Sequence, residues 1–198
     1  MFRSLALLAT IAVLGGCALT EDTVDIKYIP TKATMIADAK PVGLSVVDGR
    51  TTDRARISAK MNAYGMEMAA IRSKEDVTDV VNAALKTEFE ARGFHVESSG
   101  RAVTVTVNHF YNQFGTGFFS GTATGDVNLG VTVAGPAGAP LYTGTIDGTS
   151  KMSIQMAGGS NAAESLATAI ADAVTKLFAD PAFVSAVTKG IPATKPVS

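Results

Sequence analysis

The chain has 198 residues, 46% of them hydrophobic, with 17 Lys and Arg against 18 Asp and Glu and a formal net charge of −1. That length supports one domain with a real core, and that balance gives no electrostatic reason to expect a nucleic-acid partner. One cysteine and no tryptophan leave the fold to packing, without an internal disulfide.

In residues 1–16, Arg3 supplies a positive start and Leu5 to Leu14 an apolar run interrupted only by Thr10. The run is too short to span a bilayer as a helix and reads as the apolar stretch of a signal peptide. It stops on Leu14-Gly15-Gly16, directly before Cys17. That order resembles the lipobox of bacterial lipoproteins. The resemblance implies removal of 1–16, a diacylglyceryl group on the Cys17 sulfur and an acylated new N-terminus. Several acyl chains anchor stably where one binds only marginally. The alternative is a cleaved secretory leader with an incidental cysteine. Loss of Arg3 with the leader makes the mature chain one unit more negative.

Residues 17–41 read as the lipidated cysteine and a tether, with Pro30 and Pro41 and no sustained period. Ala18 follows the cysteine, and nothing acidic occurs before Glu21. By the enterobacterial sorting rule, the resemblance implies export to the periplasmic face of the outer membrane of a Gram-negative bacterium.

Residues 42–190 read as a single α+β domain. Val42 to Val47 is nearly apolar and predicts a strand buried on both faces. A polar loop follows, and Ile57 to Ile71 is an excursion with room for one short strand. Ser73 is placed to cap a helix on which Val77, Val80, Val81, Ala84, Leu85 and Phe89 share one face. Gly93 is its stop, and Phe94-His95-Val96 a short strand.

Three longer strands then alternate: Val103-Val105-Val107, Val127-Leu129-Val131-Val133, and Tyr142 to Ile154. Their connections, Gly115 to Gly125 and Gly135 to Gly138, read as hairpin turns. Asn161 opens a second helix, with Glu164 completing a capping box and Leu166, Ile170, Val174, Leu177 and Phe178 as its stripe. Asp180-Pro181 starts a further short helix, and 191–198 is a flexible tail. The fold class is α+β: a mostly antiparallel sheet with two main helices packed on one face.

Val42-Gly43-Leu44-Ser45-Val46, Asp48-Gly49-Arg50-Thr51-Thr52-Asp53, and Leu85 through Ala91-Arg92-Gly93-Phe94 together resemble the YajG family of envelope lipoproteins. Asp180-Pro181-Ala182-Phe183 sits where that family carries its last helix. A more distant likeness is to auxiliary lipoproteins of envelope transporters and of lipopolysaccharide assembly. The chain departs from the YajG pattern in Phe114-Gly115-Thr116-Gly117-Phe118-Phe119.

These motifs carry no catalytic signature. His95 and His109 are the only histidines, and each reads first as a structural, hydrogen-bonded side chain. His109 falls on the face of Val105 and Val107 if the strand is regular. The sequence has no metal-ligand pattern, phosphate loop or nucleophile elbow, so neither metal nor cofactor is expected beyond the lipid on Cys17. Two features point to binding. Asp48, Arg50, Asp53 and Arg54 form either a solvated loop with internal ion pairs or a docking patch for a protein or anionic polymer. Phe114, Phe118 and Phe119 form a membrane-touching tip, a partner anchor, or a hairpin folded back on the sheet. The expected function is a non-enzymatic binding or scaffolding role in the envelope, with a protein partner there. The runner-up is an accessory subunit of a transport or lipid-trafficking complex.

Overall fold

The computed structural model describes residues 20–62, 64–115, 120–136 and 139–188. The leader, Cys17, Phe118, Phe119 and the tail at 191–198 lie outside them. In chain order the first elements are β1 (Asp22–Val24), β2 (Val42–Asp48), β3 (Arg56–Met61), β4 (Glu67–Ser73) and α1 (Val77–Ala91). Then come β5 (Arg101–Gly115), β6 (Gly121–Ala134), β7 (Pro140–Ile154), α2 (Gly159–Ala179) and α3 (Pro181–Thr188).

Two sheets form, in the orders β1-β4-β3 and β2-β5-β6-β7. The larger is antiparallel from β5 to β7, with β2 added parallel to β5. In the smaller sheet β3 and β4 are antiparallel, and β1 runs parallel to β4. The α+β class is thus as expected, with a second small sheet besides.

The alternation explains the packing. Val103, Val105, Val107, Val127, Leu129, Val131 and Val133 all turn inward and are buried. The stripes of α1 and α2 close over them. Only small residues let α2 lie close to the sheet. A Cβ at Gly148 would meet the Ala169 carbonyl oxygen at 2.1 Å, and one at Gly125 would meet that of Ser165 at 2.6 Å. The C-terminal ends of α1 and α2 and the start of α3 are tied by Phe89, whose ring lies 5.3 Å from Phe94, 5.0 Å from Phe178 and 6.1 Å from Phe183.

Several expectations are corrected. The described part of the tether is built into the domain. β1 pairs with β4, Ile26 is buried, and Ile36 N–H donates to the Arg92 carbonyl at 3.0 Å. Glu88 explains the docking. It sits on the buried face of α1 and accepts from Tyr28 Oη at 2.7 Å, Thr31 N at 2.7 Å and Thr31 Oγ1 at 2.6 Å. Arg92, one turn on, pairs with the same carboxylate and lies 4.1 Å from the Phe178 ring centroid. Residues 20–41 therefore belong to the domain.

β2 is an edge strand, half-buried and alternating, because β5 flanks it on one side only. The excursion at 57–71 is a full hairpin, β3 to β4. Phe94 to Val96 contributes a single bridge, from Val96 to Val42. Ser73 ends β4, with a buried hydroxyl that has no hydrogen-bond partner among the described residues, and Asp76 precedes α1. Gly158, not Asn161, precedes α2. Gly93 does end α1, in the left-handed region at φ 90°. Asp180 caps α3, accepting from Ala182 N at 2.8 Å, and Pro181 takes the first helical position.

Candidate functional site

Among the described residues, helices cover one face of the large sheet and leave the other bare. Register puts Thr104, Thr132 and Thr143 in one row across β5, β6 and β7 on the bare face, and Thr106, Gly130 and Thr145 in the next. The third row is His109, Asn128 and Asp147. Asn108 Nδ2 donates to Asn128 Oδ1 at 2.9 Å, and Asn128 Nδ2 to Asp147 Oδ1 at 2.5 Å. This is a ladder of amides, hydroxyls and carboxylates held in register by the sheet.

A β-bulge re-aims β5 within this face. Pairing slips between Val107 and His109, so Asn108 and His109 are both exposed and Phe110 turns into the core. His109 therefore does not share the face of Val105 and Val107. The extra residue inverts the phase. Gly49 N–H donates to the Val107 carbonyl at 3.0 Å, which brings the loop after β2 against the bulge. A Cβ at Gly49 would lie 2.8 Å from Thr106 Cγ2 and 3.3 Å from the Val107 carbonyl oxygen, so a larger residue fits here only if the Thr106 side chain shifts.

Loop and bulge enclose a hollow of about 490 Å³, lined by residues 49–53 and 108–111 together with Arg56. A second, of about 370 Å³, lies beside it, lined by His109, Asp126, Asn128, Asp147 and Thr149 among others. His109 is the wall they share.

The loop's charges mostly satisfy one another. Arg50 Nε and Nη2 clasp Asp48 at 2.9 and 2.8 Å, with both side chains about one-tenth exposed. The Arg50 hydrogen bonds outweigh partial burial and hold the Asp48 carboxyl below the usual carboxylate range. Arg50 also donates to the Arg54 carbonyl, Arg54 Nε returns a bond to the Arg50 carbonyl, and Arg54 reaches Asp48 at 4.0 Å. Asp53 takes a positive φ of 33° and pairs with Arg72 at 2.5 Å. Arg72 extends the chain of charges to Glu21 at 2.8 Å. Asp48, Arg50, Asp53 and Arg54 thus brace one wall of the larger hollow, with Arg54 the most exposed of the four.

Phe114 ends β5 half-buried and packs against the core. His95 is exposed just past the C-terminal stop of α1 and is brought to neither hollow. Among the described residues, no cluster of three His, Cys, Asp or Glu is placed to hold a metal, and no helix is long and apolar enough to cross a membrane. The site residues that sequence reasoning missed are Asn108, Asn128 and Asp147. A signal for the bulge was present: apolar positions are odd through Val107 and even from Phe110.

The edge of the sheet is closed where its face is open. Asp172 and Lys176 on α2 pair at 2.7 Å. They also take the free backbone groups of β7, with Thr149 N–H donating to Asp172 at 2.8 Å and Lys176 Nζ to the Asp147 carbonyl at 2.8 Å. Capped in this way, the middle of the β7 edge resists addition of a further strand.

A model of the family described as uncharacterized lipoprotein matches residues 28–187. No curated protein gives a match. Among solved structures, that of a Xanthomonas campestris protein of the family DUF330 is 16% identical, with a TM-score of 0.54. The match covers 85% of this chain and 96% of that one, and shows a shared fold. Another, described only as an uncharacterized protein, is 11% identical with a TM-score of 0.40, over 79% of this chain and 95% of that one.

Proposed function

We propose a binding role for this chain, which belongs to the family of uncharacterised lipoproteins: it is held to the bacterial envelope by lipid on Cys17 and engages a partner there without catalysing a reaction. The leader and Cys17 support the anchor, and Ala18 supports the periplasmic face of the outer membrane. The observation that carries the binding role is the bare face of the large sheet. Its threonines and its Asn108–Asn128–Asp147 ladder present aligned donors and acceptors on a rigid surface. Such a surface suits a hydrogen-bonding partner, a protein or a polar envelope polymer.

The reading as a lipid-trafficking subunit calls for an apolar groove able to take an acyl chain. The larger hollow beside this face is bounded mostly by charged, amide and hydroxyl side chains, which favours the polar partner.

A photo-crosslinking residue at Thr145, in the full chain in its own envelope, tests this. The expected result is a discrete adduct that weakens several-fold with Asn128→Arg and is absent when the crosslinker replaces Lys86 on the exposed side of α1. Equal adducts from positions 145 and 86, or insensitivity to Asn128→Arg, would contradict a role for the face.

A further inference from the structure

The chain enters the domain at one end of the strands. Thr20 lies beside Lys60, whose Nζ donates to the Thr20 carbonyl at 2.9 Å and pairs with Asp22 at 2.8 Å. Lys60 is two residues from the β3–β4 turn. On that turn Tyr64 is 89% exposed and Met66 58%. The same end holds the loop from β7 to α2, because Gly159 N–H donates to Asp22 Oδ2 at 3.3 Å and Ile154 pairs with Gly121 at the start of β6. Met156 in that loop is 79% exposed.

Covalent reach then decides which end meets lipid. Three residue steps lead from Cys17 to Thr20, a span of at most about 11 Å. Ser58 bonds to Asn112, which places β3 beside the last turn-proximal residues of β5. From there to Arg101 the strand runs on the order of 40 Å. Exposed apolar residues also occur at that distant end, Met35 near Gly93 and Leu141 at the start of β7. Cys17 cannot bring them to the bilayer holding its own lipid.

The charged groups of the small sheet at this end are paired: Lys60 with Asp22, Arg56 with Glu67, and Arg72 with Glu21, while the exposed Lys151 stands on β7 three residues before Ile154. What this end offers a membrane is therefore apolar and interfacial in character. A tyrosine suits the headgroup level, and thioether side chains the boundary of the acyl region.

We infer that Tyr64, Met66 and Met156 form a second membrane contact, which seats this end of the domain on the bilayer surface and leaves the polar sheet face upright and open. The inference rests on the lipidation of Cys17. With several acyl chains already anchoring the protein, the contact sets orientation more than affinity.

The test uses full-length acylated protein reconstituted in phosphatidylcholine vesicles. Acylation leaves Cys17 without a free thiol, so Tyr64→Cys, Met156→Cys, Met35→Cys and Leu141→Cys each give a single labelling site. With a fluorophore attached, quenching by nitroxide lipid is expected to be several-fold stronger at 64 and 156 than at 35 and 141. It should be unchanged by salt or by added anionic lipid. Equal quenching at all four positions on acylated, vesicle-bound protein would overturn this inference alone. Intact mass of the same preparation separates the two readings, since an unmodified Cys17 would overturn both.

Discussion

Glu88→Ala is expected to cost about 3–5 kcal/mol of stability, the range for removing one partner of a buried ion pair. Glu88 is fully buried and Arg92 is 6% exposed. Without the carboxylate, the Arg92 guanidinium stays buried without its counter-charge, and Tyr28 Oη, Thr31 N and Thr31 Oγ1 lose their acceptor. That is a large share of a typical domain's stability of about 5–15 kcal/mol. Urea titration measures it, and hydrogen exchange should show residues 28–36 losing protection first. A cost below about 1 kcal/mol would mean that this network contributes no more than exposed ion pairs do.

The pH dependence follows from the same group. Burial alone would raise the Glu88 pKa, but hydrogen bonds from Thr31, Tyr28 and Arg92 outweigh it and hold the value below the ordinary 4.5. A carboxylate lowered on folding contributes stability that is complete above its unfolded value. That contribution is lost as pH falls through the folded one. The acid limb of stability below pH 4.5 should therefore flatten in Glu88→Gln.

The second large effect is expected at Gly148. A Cβ there would press on the Ala169 carbonyl at 2.1 Å, the Ala173 Cβ at 2.6 Å and the Ala173 N at 2.8 Å. These are mostly backbone atoms of α2, which cannot swing away as a side-chain tip would. Gly148→Val should cost about 1–3 kcal/mol or more by overpacking. Gly130→Ala is the control on the bare face. Its nearest neighbour is the Asn108 amide nitrogen at 3.2 Å, a movable group. Relief of strand-glycine entropy should make that change neutral or stabilising by up to about 1 kcal/mol. Equal losses at both positions would contradict the account of close helix–sheet contact.

Period-two alternation made the three long strands legible, and the stripe from Val77 to Phe89 made α1 legible, because both patterns are set by burial on one side. The N-terminal segment was not legible because it docks through side chains without a period: Tyr28, Thr31 and Ile26. Its trace in the sequence is Glu88, a carboxylate on an apolar stripe four residues before Arg92, which calls for partners from elsewhere. Helix starts were misread because Ser73 and Asn161 have capping chemistry but sit in a strand end and a helix interior. In the candidate site, the Asp48–Arg54 loop was visible as a charge cluster. Its bracing of a hollow depends on the bulge at Asn108, which appears in sequence only as a change of apolar phase. The Asn108–Asn128–Asp147 ladder joins residues 39 positions apart and needs the register itself.

We propose that lipid at Cys17, close before the first strand, holds this domain in the envelope. Intact mass and membrane fractionation of the protein from its own envelope, beside Cys17→Ser, test it most directly. The expected result is a chain that starts at Cys17 with acyl groups attached and sediments with the outer membrane, and a Cys17→Ser variant without that mass shift or location. An unmodified, soluble wild-type protein would contradict it.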